Sequence, residues 1–356
     1  MKVLRVLVVE DSVTIRRYLR DALQADPEIE VVGEARDGKE AIHLCETLRP
    51  DAVTMDMMLP MMTGLGATEY IMAHCPTPIL IVSSSMNRGE VFKTYEALAA
   101  GAVDVLDKPK GTEPPGEWER RLLAAVKLIS RVRTVTHVRG RLGPVAQGRP
   151  IGHAAPPNRS KAQGKVEVVA IGASTGGPGA ILEILRALPP RFSLPLLIVL
   201  HINEPFGTAF AEWLDGQTGF RVAYANDGEL VAATSGRVTM APPDSHLTVQ
   251  GGRLRLTRGP ERHSCRPSVD VLFESLAIEY RAAAAACLLT GMGRDGAAGL
   301  LELRRAGSFT IAQDEASSVV YGMPREAVVL GGVDRVLPLV DIGPFIASLA
   351  NDRGTP

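Results

Sequence analysis

A serine set in a glycine-rich turn is the clearest sign of chemistry in this chain. Ser174 lies between Gly172 and Gly176, directly after the largely apolar residues 166–171, so the local pattern is G-x-S-x-G. Small neighbours permit a sharp turn from a strand into a helix, and the start of that helix leaves backbone N–H groups free nearby. The pattern therefore predicts that Ser174 is presented as a nucleophile.

A histidine and an aspartate occupy comparable places further along the chain. His201 follows the apolar residues 196–200, and Asp295 lies in a glycine-rich loop after the largely apolar residues 286–290. Because parallel strands bring their carboxyl ends to one edge of a sheet, we expect both residues near Ser174. His201 would act as the base, and Asp295 would hold the imidazole in the right tautomer. Asp295 beside a glycine would also suit a turn or a helix cap.

Backbone donors near this serine are candidates for an oxyanion site. They are the N–H group of Thr175 and those of the loop around Met292, and each such donor is often worth about 3 kcal/mol. Two other histidines, His246 and His263, compete with His201 for the role of base. Neither of them follows an apolar strand, so position favours His201.

Acidic residues form a second cluster in the first third of the chain. Glu10 and Asp11 follow the first predicted strand, and Asp56 follows the third. Carboxylates gathered in one crevice repel each other unless a hard cation lies among them, and oxygen ligands favour Mg²⁺. Ser83 after the fourth strand and Lys108 after the fifth would complete the pocket, in which Asp56 is predicted to accept a phosphoryl group. Strand-end residues also cap turns, but five suitable residues in register make that interpretation weak.

The elements that would position both clusters alternate between apolar runs and amphipathic patterns. This alternation predicts an α/β fold with mostly parallel sheets covered by helices on both faces. The predicted strands are residues 5–9, 31–32, 52–55, 79–82 and 103–106 in the first half, and 168–171, 196–200, 237–240, 254–256, 286–290, 310–312 and 336–337 in the second. A hairpin-like insert over residues 247–256, turning at Gly251-Gly252, suggests a mixed sheet edge.

Length and composition indicate an ordinary globular protein with two domains. The chain has 356 residues, is 46% hydrophobic and carries a formal charge of −1, which gives no reason to expect a nucleic-acid partner or membrane binding. Its four cysteines (Cys45, Cys75, Cys265 and Cys287) show no metal-ligand spacing and fit reduced thiols. The apolar stretch 282–289 is too short to cross a bilayer, and the first apolar run ends at acidic residues, unlike a signal peptide. We expect a cytoplasmic protein.

A basic connector separates the two halves. From residue 120 to residue 165 every charged side chain is cationic, and beyond residue 138 the composition turns to Gly, Pro, Arg and Ala. That composition is typical of a solvated tether, although a cationic tether could also dock on an acidic partner. The predicted domains are therefore residues 1–125 and 165–350, joined by a linker over residues 126–164.

The first half resembles a doubly wound response-regulator receiver domain. The residues that carry the resemblance are Glu10-Asp11, Asp56 with Pro60 and Gly64, Ser83, and Lys108-Pro109. The resemblance implies that Asp56 accepts phosphate from a histidine kinase, that Met58 offers its carbonyl to the Mg²⁺, and that Ser83 and Lys108 sense the phosphoryl group. Val105 replaces the aromatic switch residue of many receivers, and Met58 and Thr63 stand where relatives are often acidic.

The second half resembles the catalytic domain of the chemotaxis methylesterase family CheB. The matching segments are residues 171–177, His201, and residues 266–273, 289–299 and 313–325. The resemblance implies a protein-glutamate methylesterase that acts on chemoreceptors, also deamidates their glutamines by the same mechanism, and has no cofactor in this domain. Ser174, His201 and Asp295 would form its triad, and the Met292 backbone would supply an oxyanion donor. From the domain order we also expect the unphosphorylated receiver to occlude Ser174.

One departure and two alternative functions complete the sequence analysis. After His201 the family usually has a Met-Pro-Pro-Gly-like run, whereas this chain has Ile202-Asn-Glu-Pro205, and Glu204 is expected to affect which receptor is accepted. A non-catalytic response regulator would tolerate loss of the triad that is present here. A nucleotide-binding enzyme would need a glycine where Ser174 stands and an acidic residue about twenty positions later.

Overall fold

The computed structural model describes residues 3–84, 87–111, 113–132, 165–202 and 205–351. These residues belong to two compact units divided between residues 148 and 149, and each unit is described by itself. Residues 133–164, which make up most of the predicted linker, lie outside the described part of the chain, so the predicted domain boundaries stay predictions.

The first unit is built on a parallel sheet with helices. In its described residues the five strands lie in the order β2-β1-β3-β4-β5. The strands are β1 (Leu4–Val9), β2 (Ile29–Ala35), β3 (Ala52–Met55), β4 (Ile79–Ser83) and β5 (Asp104–Asp107), and the helices are α1 (Val13–Gln24), α2 (Gly38–Leu48), α3 (Gly64–His74), α4 (Arg88–Ala99) and α5 (Glu117–Ile129). The strand order reverses at β1, so the crevice beyond β1 and β3 is where such sheets place their sites.

Helix starts in this unit follow from local sequence. Ser12, Asp37 and Thr63 each accept a backbone N–H bond with the side chain and so cap α1, α2 and α3. Gly64 opens α3 because no larger residue fits, since a Cβ atom there would lie 1.9 Å from the carbonyl oxygen of Asp56. The start of α3 therefore packs directly on the strand end that carries Asp56.

The second unit has a larger sheet in which every pairing of the described strands is parallel. The seven strands lie in the order β14-β13-β12-β6-β7-β9-β8. The strands are β6 (Val168–Ala173), β7 (Leu196–Leu200), β8 (Arg221–Tyr224), β9 (Arg237–Met240), β10 (His246–Gln250), β11 (Arg253–Thr257), β12 (Ala284–Leu288), β13 (Phe309–Gln313) and β14 (Arg335–Leu337). The helices are α6 (Gly177–Ala187), α7 (Phe210–Gln217), α8 (Val269–Glu279), α9 (Ala297–Arg305), α10 (Met323–Val329) and α11 (Leu339–Asn351). The predicted α/β fold of both halves is confirmed.

The predicted mixed sheet edge is wrong. Strands β10 and β11 do form the antiparallel hairpin, but they make a separate two-stranded sheet instead of joining the main one. The hairpin packs against α8, where the Ser275 hydroxyl accepts a hydrogen bond from the backbone N–H of Val249 at 3.0 Å. A local turn pattern predicts the hairpin, whereas its place in the fold depends on this long-range packing.

The core of the second unit fixes the start of α8 against the central strands. All residues of β6, β7 and β12 are buried, as expected for strands covered on both faces. Val269, the first residue of α8, is fully buried, and a Cβ atom at Gly172 in β6 would lie 2.2 Å from its Cγ1. A Cβ atom at Gly296 would lie 2.7 Å from the same methyl group. The side chain of Val269 is thus held between the two loops that carry Ser174 and Asp295.

The structure contains, in its described residues, no helix long and apolar enough to span a membrane.

Candidate active site and acidic pocket

Ser174 lies in the tight turn between β6 and α6. Its backbone N–H donates to the carbonyl of Thr290 at 3.0 Å, and its own carbonyl accepts from Gly177 N at 2.7 Å. Gly176 has a φ of 77°, a left-handed conformation that glycine adopts without strain. The turn therefore holds Ser174 half-buried at the carboxyl end of the sheet, where the sequence predicts it.

The next strand places His201 beside this turn. The backbone N–H of His201 donates to the carbonyl of Ala173, one residue before Ser174. The imidazole Nε2 lies 2.8 Å from Oδ2 of Asp295, so the predicted imidazole–carboxylate pair is present. In the described part of the chain, no hydrogen bond joins the Ser174 hydroxyl to His201. Because Nε2 is engaged with Asp295, a bond to the serine would have to use Nδ1, which Cys265 Sγ approaches to 3.6 Å.

Asp295 is held by the N-terminus of α8 as well as by His201. It accepts hydrogen bonds from the Ser268 hydroxyl at 2.7 Å, from Val269 N at 2.7 Å and from Asp270 N at 3.2 Å. Asp295 is only 2% exposed, and burial alone would raise the pKa of its carboxyl group. The bonds from His201, Ser268 and Val269 outweigh burial and hold the pKa of Asp295 below its usual range. Asp295 is therefore a fixed anion.

The electrostatics of the pair favour a charged imidazole. Burial opposes protonation of His201, but the hydrogen bonds to Asp295 and Cys265 raise its pKa to about 9. Cys265 was not singled out by the sequence, yet its Sγ lies 3.6 Å from Nδ1 of His201 and 3.4 Å from the carbonyl oxygen of His263. Cys265 and His201 are 64 positions apart, so spacing along the chain carries no signal for this contact. Ser268 was missed for the same reason, although its pattern before an apolar helix indicates a cap.

The two oxyanion candidates lie in loops that touch. A Cβ atom at Gly291 would be 2.7 Å from the Cβ of Ser174, so the residue before Met292 packs directly on the predicted nucleophile. The carbonyl of Gly291 accepts from Gly322 N and Met323 N, at 3.2 and 2.9 Å, which fixes this loop. Thr175 is held on the other side, where its carbonyl accepts the Thr290 hydroxyl at 2.9 Å.

The competing histidines have other partners. His246 is buried, with Nε2 3.0 Å from the carbonyl of Pro260 and Nδ1 accepting from Ser268 N at 3.2 Å. His263 pairs through Nε2 with Asp270, whose carboxylate oxygen lies 3.1 Å away. These two histidines thus contact the cap and the first turn of α8, whereas His201 is the histidine bonded to Asp295.

The acidic cluster of the first unit is assembled as predicted at the ends of β1 and β3. Carboxylate oxygens of Glu10, Asp11 and Asp56 lie within 4.8 Å of one another. Lys108 Nζ lies 2.9 Å from Glu10 Oε2 and 3.0 Å from Asp56 Oδ2. Glu10 and Asp56 are buried, Asp11 is exposed, and Asp56 Oδ1 has no hydrogen-bond partner among the described residues.

One ammonium group does not balance this cluster. Burial raises the pKa of Asp56, against the opposing effect of Lys108. Burial and the neighbouring Asp56 raise the pKa of Glu10 to about 7, again against Lys108. The pocket thus has one carboxylate oxygen without a partner among the described residues and an excess of negative charge, and an added cation would relieve both.

The remaining receiver residues have partners that the sequence does not predict. The Ser83 hydroxyl donates to Glu90 Oε1 at 2.9 Å, and Ser84 N donates to the same oxygen at 2.7 Å. The Met58 side chain is exposed, with Sδ 3.7 Å from Lys93 Nζ. Val105 is half-buried in β5.

Asn203 and Glu204, the predicted departure beside His201 in the second unit, lie outside the described residues.

Comparisons with known proteins match both halves. Residues 6–114 match the response regulator receiver domain, and residues 169–346 match the CheB methylesterase family. A protein-glutamate methylesterase/protein-glutamine glutaminase of Nitrosospira multiformis is 41% identical over 354 residues, covering 99% of this chain and 98% of its own length. A second of that name from Anaeromyxobacter dehalogenans is 42% identical over 339 residues, or 95% of each chain. The solved catalytic domain of Thermotoga maritima CheB is 35% identical with a TM-score of 0.49, over 52% of this chain and 98% of that one. Both resemblances predicted from the sequence are confirmed.

Proposed function

Because the chain belongs to the CheB methylesterase family and carries a receiver domain ahead of the catalytic domain, we propose that it hydrolyses glutamate methyl esters, and deamidates glutamines, on methyl-accepting chemoreceptors. The observation that carries this proposal is the imidazole–carboxylate pair of His201 and Asp295, at 2.8 Å, beside the serine turn. The nearby backbone donors suit acyl transfer by a serine.

The reaction follows from the position of each group. The Ser174 oxygen attacks the ester carbonyl while its proton passes to His201 Nδ1, the ring nitrogen that Asp295 leaves available. The tetrahedral intermediate places its negative oxygen near backbone N–H groups of the Thr175 turn and the Met292 loop. As the intermediate collapses, the leaving methoxy oxygen takes the proton back from His201 and departs as methanol. Water then attacks the acyl-enzyme in the same way and restores glutamate and Ser174, and with glutamine the leaving group is ammonia.

In the first unit we propose that Asp56 accepts a phosphoryl group from a chemotaxis histidine kinase. The residues present fit Mg²⁺, because the donors are all oxygen atoms, Asp56 Oδ1 lacks a partner among the described residues, and Lys108 alone leaves the pocket too negative. Glu10, Asp11, Asp56 and the carbonyl of Met58 would hold the ion, which when bound neutralises charge on the phosphoryl oxygens. Lys108, 3.0 Å from Asp56, would contact the transferred group directly. Ser83 would do so after leaving Glu90.

We further propose that phosphorylation of Asp56 relieves occlusion of Ser174, that the protein is cytoplasmic, and that its catalytic domain needs no cofactor. The test is release of methanol from methylated receptor fragments by the full chain, with and without a small-molecule phosphodonor. Methanol release should rise with the phosphodonor in the wild-type protein and stay unchanged in Asp56→Asn.

The matched variant is Ser174→Ala, which should abolish methanol release while Asp56 is still phosphorylated. A Ser174→Ala protein that releases methanol at the wild-type rate would refute the proposed nucleophile. Equal rates with and without phosphodonor, in protein shown to be phosphorylated, would refute the proposed regulation.

A further inference from the structure

The thiol of Cys265 and the imidazole of His201 come from different segments and converge on one point. Cys265 Sγ lies 3.6 Å from Nδ1 of His201, and the Cys265 side chain is half-buried. Nε2 of the same ring is bonded to the buried carboxylate of Asp295 at 2.8 Å. This arrangement fixes the ring so that its Nδ1 faces the sulfur.

We infer that Cys265 and His201 form a binding site for Zn²⁺, and that a bound ion inhibits the enzyme. A tetrahedral Zn²⁺ holds thiolate sulfur at about 2.3 Å and imidazole nitrogen at about 2.0–2.1 Å, which puts the two ligand atoms about 3.5–3.6 Å apart. The observed separation of 3.6 Å, which also suits an S–H···N hydrogen bond, is close to that edge, and binding would release the protons of the thiol and of the imidazole.

The surroundings of the pair also suit a metal. An imidazole that binds zinc through one nitrogen commonly donates the other N–H to a carboxylate, which fixes the tautomer and makes the ligand nitrogen more basic. Asp295 occupies that place. A cavity of about 510 Å³, lined by Cys265, Asp295 and Met292 together with the cationic Arg294, reaches the sulfur and leaves room for water in the remaining coordination positions.

The site is distinct in chemistry from the acidic pocket of the first unit. Glu10, Asp11 and Asp56 offer only oxygen atoms, which suit Mg²⁺, whereas sulfur and nitrogen ligands select Zn²⁺. Zn²⁺ on Nδ1 removes the nitrogen that the proposed mechanism requires for the proton of Ser174. The inhibitory consequence rests on the proposed function, but the metal site does not.

Binding is tested without any esterase assay. The full chain, reduced and held in excess Mg²⁺, is titrated with Co²⁺, which takes zinc sites and shows a near-ultraviolet charge-transfer band only when a thiolate is a ligand. The band should appear in the wild type and in Cys75→Ala, a control at another half-buried thiol, and should vanish in Cys265→Ala and weaken in His201→Ala. No band in the wild type, or a band that survives in Cys265→Ala, would overturn the site.

Inhibition is tested by the ratio of methanol release with and without added Zn²⁺, so that each variant's own basal rate cancels. The wild type and Cys75→Ala should lose most of their activity and recover it when a chelator is added, and Cys265→Ala should be much less sensitive. Equal sensitivity of Cys265→Ala would overturn the inhibitory role. A cobalt band in a protein that releases no methanol from any receptor fragment would instead refute the proposed function and leave the metal site standing.

Discussion

Asp295 and Asp56 are both buried carboxylates beyond the ends of parallel strands, yet their surroundings differ in kind. Asp295 accepts bonds from a hydroxyl, an imidazole and two backbone N–H groups, and these hold its pKa low. Asp56 is stabilised by one ammonium group and the backbone of Met58, one of its oxygens is unpartnered among the described residues, and burial raises its pKa against both. Asp295 is therefore a fixed anion whose hydrogen bonds are complete. Asp56 lies in a site that still lacks hydrogen bonds and positive charge, and a bound ligand would supply them.

Neutralising the fixed carboxylate should have the largest effect. Asp295→Asn keeps the shape of the side chain but removes the charge that orients and stabilises protonated His201. We expect kcat for methanol release to fall about 10⁴-fold, as for other serine triads. Asp334→Asn is the matched control, since Asp334 also accepts backbone and hydroxyl bonds in this unit, from Thr310, and contacts no triad residue. A loss of less than tenfold in Asp295→Asn would show that the charge of Asp295 is not needed to stabilise protonated His201.

The effect of Asp295 on the pKa of His201 should also appear in the pH dependence of methanol release. The base must accept a proton, and the pKa of His201 is raised to about 9, so most of the enzyme is in the inactive, protonated form near neutrality. We expect kcat/KM to rise roughly tenfold per pH unit from pH 7 and to level near pH 9. A rate–pH profile measured in the phosphorylated protein checks this, and a plateau already reached by pH 7 would contradict it.

The incomplete pocket should make the stability of the first unit depend on pH and on Mg²⁺. The pKa of Glu10 in the folded unit is about 7, above the model-peptide value of 4.5, so the folded state binds more protons between these values. Stability should therefore be full below about pH 4.5 and fall as the pH rises to about 7, by an amount on the order of 3 kcal/mol. Thermal unfolding in a chelator measures the loss, and Mg²⁺ at pH 7 should restore it. Unfolding that ignores both pH and Mg²⁺ would contradict an unbalanced pocket.

The smallest expected effect concerns Glu90, which holds the hydroxyl predicted to bind phosphate. Its Oε1 accepts from Ser83 and Ser84 N, so a phosphoryl oxygen must displace a carboxylate of the same charge. Glu90→Ala should raise the rate of Asp56 phosphorylation by roughly two- to fivefold, the effect of up to about 1 kcal/mol from a partly exposed charge. Glu96→Ala, on the same helix, is the control. Equal rates for the two variants would show that Glu90 does not compete.

Sequence patterns predicted the fold well where burial decided it. Strands 52–55, 196–200 and 237–240 have the predicted bounds, and for 196–200 the reason is a continuous apolar run, which marks a central parallel strand. Strand β8 was not predicted, since its four residues lie at the sheet edge and Val222 alone among them is buried. Strand β12 begins two residues earlier than predicted, because the alanines at its start extend the pairing with β6.

The site was predictable only in its outline. Strand ends with Ser174, His201, Asp295 and Asp56 follow from residue type and topology. The contacts of Cys265, Ser268 and Glu90 do not, because each depends on the approach of a helix or loop distant in sequence or on a side-chain rotamer. Elements are specified by local periodicity, whereas the partners of polar side chains are specified by packing.

Position 269 in the second unit can lose side-chain volume, but the residues on either side leave no space for it to gain any. Its side chain fills the space between Gly172 and Gly296, and a single extra carbon at either glycine would lie within 2.7 Å of it. Both neighbours already have the smallest side chain available, so neither of these two positions can be reduced to make room for a bulkier residue at position 269. Directed evolution for larger substrates would therefore have to leave this triplet intact and alter the surface loops around the cavity instead.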